Sequence, residues 1–180
     1  MNSASPFELL HSIEIRSQTK ALGIPQQIEV RRTWSGIGYR MGDTRLVSPM
    51  GEVDELLDYP ALTRVPGSKT WFKGIANVRG MLLPIVDLNG FITGTNTQRQ
   101  KRSRVLVIHS GELSCGLLID EVLGLRHFFE EEKMEHQHQM KDEIQSFLVG
   151  GYRQGDVDWG VFSFKKLAEH PRFMEVAARK

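Results

Sequence analysis

The stretch GIANVRGMLLPIVDL, residues 74–88, decides the fold. Its two apolar runs, 75–78 and 81–88, are each long enough for a buried strand and too short for a packed helix. Arg79 and Gly80 between them read as the tight turn of a β-hairpin. The hairpin poses a question of function as well as of fold: why is a guanidinium placed at the turn between two buried strands?

Outward from this hairpin, the short-strand pattern continues in both directions. Upstream, QIEVRRTW, GIGYRM and TRLVSPM are separated by Ser35-Gly36 and Gly42-Asp43, which read as hairpin turns. DELLDYPALTRVPGS, punctuated by Pro60 and Pro66, reads as a longer connection into WFKGIANV. Downstream, NGFITGTNTQRQKRS reads as an exposed polar loop or a junction between subdomains near 89–104. Strands then resume with RVLVIHS, a Gly111-Glu112 turn and LSCGLLIDEVLGL. FFEEEKMEHQHQMKDE carries six carboxylates and reads as a solvated loop or short helix. The chain closes with a hairpin turning at 154–156 and a helical tail that Pro171 breaks or restarts.

Helix signals frame this β region. Ser5-Pro6-Phe7-Glu8 is a capping box with Pro at the first helical position. Phe7, Leu10 and Ile13 follow at helical spacing, which predicts a helix from residue 6 to about residue 22, where Gly23 and Pro25 stop it. A faint repeat relates GDTRLVSPMGEVDELL (42–57) to GELSCGLLIDEVLGLR (111–126): both open on a Gly-acid turn and both carry Glu-Val, at 52–53 and 121–122. Two related small barrels packed together account for it.

Composition narrows the function classes. With 23 Lys+Arg against 22 Asp+Glu the net charge is +1, which argues against a dedicated nucleic-acid binder, whose affinity rests on neutralised phosphates. The basic run RQKRSR (99–104) is the local exception and reads as a solvated linker. No stretch reaches the roughly 18 apolar residues of a membrane span, and the start lacks the pattern of a signal peptide. A cytoplasmic protein without membrane insertion is expected. The single cysteine, Cys115, lies in an apolar strand and reads as a small core residue.

Motifs of catalysis are missing. GDVDWGV lacks the lysine of a phosphate loop, GIGYRM lacks the third glycine of a dinucleotide fingerprint, and no zinc or nucleophile-elbow spacing occurs. His136 and His138 face one side of any strand but have no third ligand at a fitting spacing. Asp87, Asp120 and Glu121 sit near strand ends, where carboxylates more often cap turns than transfer protons.

RVPGSKTWFKGIANVRGMLLPIVDL (64–88) closely resembles the signature of the CheW-like domain, the adaptor of bacterial chemosensory arrays. GLLIDEVLGL (116–125) and FLVGGYRQGDVDWGVFSFKKLAEH (147–170) match that family's second hallmark and closing hairpin. The resemblance covers about residues 27–170, leaving an N-terminal helical extension at 1–26 and a helical tail at 171–180. It implies a mainly β fold of two five-stranded SH3-like barrels, no cofactor and no catalysis. The implied partners are a CheA-type histidine kinase, through its own CheW-like regulatory domain, and the cytoplasmic tip of a methyl-accepting chemoreceptor, at the inner face of the membrane.

Within the family, TWSGIGYRMGDTRLVSPMGEVDELL and IANVRG look like adaptors of systems that control type IV pili and twitching motility. A flagellar adaptor is the near alternative, and a small β-barrel enzyme or metal binder the distant one. By place in the motif, the resemblance assigns Arg79 to a partner surface, with Gly74, Asn77 and Gly80 shaping its hairpin. Val53, Ile119 and Val122 correspond to a groove for the receptor tip, a helix-in-groove contact. Glu55 and Leu56 correspond to positions near the kinase.

Overall fold

The computed structural model describes residues 5–20, 33–111, 113–134 and 142–176. It divides into two compact units, 1–31 and 32–180. The first holds α1 (Pro6–Lys20), and its capping box forms as expected: the Ser5 N–H donates to Glu8 Oε2 at 2.8 Å and the Glu8 N–H to Ser5 Oγ at 3.3 Å. The expected end of this helix near residue 22 lies outside the described residues.

The second unit is built from strands β1 (Thr33–Met41), β2 (Thr44–Pro49), β3 (Val53–Asp58), β4 (Phe72–Val78) and β5 (Met81–Asp87), then β6 (Arg104–Ser110), β7 (Leu113–Ile119), β8 (Glu121–Phe129), β9 (Leu148–Gln154) and β10 (Val157–Phe162). Among the described residues the unit also holds four short α-helices, α2 (Leu88–Thr93) and α3 (Asp142–Gln145) between strands and α4 (Phe164–Ala168) and α5 (Pro171–Met174) after the last. The strands form two five-stranded sheets, ordered β8-β1-β2-β10-β9 and β3-β6-β7-β5-β4.

Moving every strand five places along the chain, and counting on from β10 to β1, turns one order into the other. Each half of the chain therefore gives its first two strands to one sheet and its last three to the other. The faint sequence repeat covers the two places where the chain changes sheets, β2 to β3 and β7 to β8. The crossings fall at 50–52 and at 120, not at 89–104. That stretch stays within one sheet, between β5 and β6, where it forms α2 and an ordered loop.

Both sheets close on themselves in the same way. The segment after β3 pairs Thr63 with Ile75 of β4, and the segment after β8 pairs Lys133 with Tyr152 of β9. In each case the segment that follows one edge strand bridges to the other edge strand, so the expected barrels are present and few strand edges stay open. Pro84 fits inside β5 because pairing to β7 begins at Ile85, beyond the residue that lacks a donor.

Ala76, Leu83, Ile85, Val105, Val107 and Leu118 fill the β3–β7 barrel. Val47, Phe128, Trp159 and Val161 fill the other. A third and larger cluster draws on both barrels, with Tyr39, Met41 and Leu46 from one and Val86, Leu106, Ile108 and Leu117 from the other. Cys115 belongs to this shared core, 1% exposed, and burial pushes its thiol pKa up to about 12.

Two turn assignments need correction. Ser35-Gly36 is no hairpin turn but the interior of β1. A Cβ on Gly36 would stand 2.5 Å from the Ser48 carbonyl oxygen, and one on Gly38 would stand 2.8 Å from Arg126 and 2.9 Å from Trp159. These glycines mark close approach of neighbouring elements rather than a reversal of the chain. DELLD (54–58), read as the start of a connection, belongs to β3. The hairpins at 42–43, 79–80 and 154–156 join their expected strands, and β6 pairs with β7 as expected.

Candidate functional site

Between β4 and β5 the reversal takes two residues, with Val78 opposite Met81. Arg79 has φ 51° and Gly80 φ 85°. Positive φ at both central positions matches the right-handed twist of the flanking strands, and glycine or asparagine normally occupies them. Arg79 is the one non-glycine residue with positive φ among the described residues, at a backbone cost of about 1–2 kcal/mol. Asn77 supports the turn by accepting from the Gly80 N–H at 2.9 Å.

The guanidinium that this strained turn presents is 76% exposed and donates from Nη2 to Glu55 Oε1 at 2.5 Å. Glu55 stands on β3 and Arg79 follows β4, the two edge strands of their sheet, so the ion pair spans the seam where the barrel closes. Beside it lies a recess of about 360 Å³, lined among others by Asp54, Glu55, Val78, Arg79, Met81 and Leu82. Met81 and Leu82 are 62% and 74% exposed. At another point of the recess, Asp54 pairs with His109 Nδ1. A fixed charge pair beside bare aliphatic side chains is the composition of a protein-docking surface, with its polar specificity and apolar anchor.

Gly74 holds this hairpin against the segment after β3. Its φ is 136°, and a Cβ there would stand 2.4 Å from the Thr63 carbonyl oxygen. Gly74→Ala is expected to cost at least about 2 kcal/mol, since both the backbone conformation and the contact oppose it. A urea titration, read as a lower midpoint with unchanged slope, checks this.

The other assigned residues separate. Ile119 is 0% exposed and Val53 9%, and both pack in the core shared by the barrels. The expectation that they line an open groove is corrected here: their apolar character serves the joint between barrels. Val122, half-buried against the same core, is the member of that trio which reaches the surface. Leu56 is exposed, but it follows Glu55 on a strand and so takes the other face, away from the recess. Met81 and Leu82 were missed because MLLPIVDL reads as one buried run, and Asp54 and His109 because their pairing joins strands far apart in sequence. Two bulky aliphatics in succession, directly after a tight turn, were the available signal, since a strand that small can bury only one of them inward.

The carboxylates at strand ends are structural. Asp87 is fully buried and caps α2 by accepting from the Gly90 N–H at 3.0 Å. It also accepts from the Thr97 N–H and hydroxyl, both at 2.8 Å, and pairs with Lys73 at 3.0 Å. Asp120 accepts from the Gly42 N–H at 2.6 Å. Glu121 accepts from Arg40 Nε at 2.7 Å, which holds its carboxyl below the usual carboxylate range. His136 and His138 lie outside the described residues.

Known proteins share this fold and this sequence pattern. Residues 35–171 match the model of the CheW-like domain. Protein PilI of Pseudomonas aeruginosa is 44% identical over 96% of this chain and 97% of its own length. Protein FrzA of Myxococcus xanthus is 35% identical over 49% of this chain and 55% of its own, and chemotaxis protein CheW of Thermotoga maritima 26% over 49% and 58%. The crystal structure of scaffolding protein TtCheW from Thermoanaerobacter tengcongensis superposes with a TM-score of 0.68 at 18% identity, over 78% of this chain and 95% of that one, a likeness of fold. The chain belongs to the CheW-like domain family.

Proposed function

We propose that this chain is a non-catalytic adaptor that joins a CheA-type histidine kinase to the cytoplasmic tip of a methyl-accepting chemoreceptor, in a chemosensory system that controls type IV pili and twitching motility. The observation that carries the reading is the Arg79–Glu55 pair beside exposed Met81 and Leu82, held at a turn whose backbone is strained to present it. A pre-positioned guanidinium loses little entropy when it engages a partner's carboxylates or carbonyls. The kinase's regulatory domain docks on this face of the β3–β7 barrel. The receptor tip docks elsewhere, near Val122 where the barrels join.

The pilus assignment rests on a likeness to PilI that runs nearly end to end, whereas the likeness to the Thermotoga CheW spans about half of each chain. Among the described residues no helix is long and apolar enough to cross a membrane; as an adaptor of this family the chain acts on the cytoplasmic side and reaches the membrane through its receptor. Repeated weak contacts in an array give avidity and couple neighbouring kinases. Calorimetric titration with the regulatory domain of a kinase encoded beside this protein tests the reading. Saturable binding of one domain per chain is expected, and a folded chain that takes up no kinase domain overturns it.

A further inference from the structure

A second surface lies on the same barrel, apart from the Arg79 face and unused by the proposed function. RQKRSR, read from sequence as a solvated linker, is an ordered turn. Ser103 is buried, its hydroxyl accepts from the Gln100 N–H at 2.9 Å, and its own N–H donates to the Gln100 carbonyl at 3.0 Å. Arg104 Nη1 donates to the Lys101 and Ser103 carbonyls at 2.9 Å each. Arg99 lies over the Tyr59 ring, 4.4 Å from its centroid.

Tyr59 is a wall between two recesses and lines both. One, of about 400 Å³, carries Arg99, Lys101 and Arg104 with Asp58 as its acid. The other, of about 510 Å³, carries Arg64, Lys69 and Lys73 with no acidic lining residue, beside the apolar flanks of Leu62, Val65 and Phe72. Lys69 pairs with Glu175, Lys73 with Asp87 and Arg104 with Asp58. Arg64, Arg99 and Lys101 are exposed and have no acidic partner among the described residues. Burial raises the Tyr59 phenol pKa, Asp87 adds to the rise, and Arg99 and Arg64 oppose it.

We propose that the two recesses flanking Tyr59 form one groove for an acidic peptide segment of a partner protein. Its carboxylates meet Arg64 on one side and Arg99 and Lys101 on the other, and its apolar residues meet Leu62, Val65 and Phe72. The cations are fixed on an ordered backbone, so little freedom is lost on binding. Recesses divided by an aromatic wall suit a threaded chain with alternating side chains better than the even plane of a bilayer. Three unpaired cations on a chain of net charge +1 are too few to hold a nucleic acid against physiological salt.

A short fluorescein-labelled peptide alternating glutamate and leucine is the probe, with its glutamine counterpart as control, read by fluorescence anisotropy on the full chain. The glutamate peptide binds, binding weakens as salt rises, and affinity falls at least about ten-fold in Arg64→Glu and again in Lys101→Glu. Both positions are exposed, so the variants fold. Both also keep kinase-domain binding, which separates this groove from the Arg79 face. Equal binding of the two peptides, variants that bind like the parent, or no peptide binding at all each overturns the proposal. So does binding of phosphatidylserine vesicles in place of the peptide, which would make the face a membrane contact.

Discussion

Arg79→Glu weakens binding of the kinase regulatory domain by at least about 100-fold, roughly 3 kcal/mol, while the chain stays folded. The fold survives because the side chain is 76% exposed and, among the described residues, pairs with Glu55 alone, an ion pair worth about 0–1 kcal/mol to stability. Binding does not survive because the reversed charge faces Glu55 and leaves the partner's matching group unpaired when water is excluded. Arg79→Gly separates the two effects further. It removes the strain of a non-glycine residue at φ 51°, so stability stays within about 1 kcal/mol of the parent, yet the charged anchor is gone and affinity drops. The swap Arg79→Glu with Glu55→Arg rebuilds the pair in reverse. Affinity that stays low in the swap means that Arg79 touches the kinase directly; affinity that returns means that the pair positions the hairpin. A kinase domain that binds Arg79→Glu within about three-fold of the parent sinks the assignment of this face.

Periodicity carried most of the β architecture, because short apolar runs between Gly and Asp turns leave a chain few other choices. It failed at Ser35-Gly36, where glycine answers crowding from strands distant in sequence rather than a local turn. The sheet exchange was half legible. The repeat at 42–57 and 111–126 announced two related units, but which sheet each strand joins depends on pairings such as β3 with β6, which no local pattern encodes.

The candidate site was legible at Arg79 because a charged residue between two apolar strands breaks the pattern. Glu55 came with it through the family likeness, and the structure brings the two together at 2.5 Å. Val53 and Ile119 went the other way: an apolar residue on a strand reads alike whether it faces a groove or a neighbouring barrel, and here the neighbouring barrel covers it. The basic turn at 99–104 was misread for a related reason. Its order comes from the Ser103 hydroxyl and from the Tyr59 ring just past the end of the neighbouring β3, and neither contact can be seen in a run of charges.

Asp87→Ala is expected to destabilise the chain by about 3–5 kcal/mol, the cost of removing one partner of a buried charge pair. Asp87 is 0% exposed and ends the PIVDL strand. Its two oxygens hold the Gly90 N–H, the Thr97 N–H, the Thr97 hydroxyl and the Lys73 ammonium, at 2.8–3.0 Å. Loss of the cap on α2 alone accounts for about 1 kcal/mol. The rest comes from donors left without an acceptor, and from Lys73, whose side chain is 20% exposed and cannot fully reach water. Asp87→Asn keeps an acceptor for the cap while removing the charge, and therefore costs less. Asp87→Asn with Lys73→Met costs less than the sum of the single changes, since no unpaired cation remains. Urea titration of the parent, the three single variants and the double variant reads these differences as midpoints at constant slope. If Asp87→Ala loses under about 1 kcal/mol, Lys73 and Thr97 find other partners and the carboxylate does not organise the loop. The consequence for function follows from position. Asp87 ends the strand that begins at Met81, so the residue that fastens one end of β5 fixes the register that presents Arg79, Met81 and Leu82 at the other.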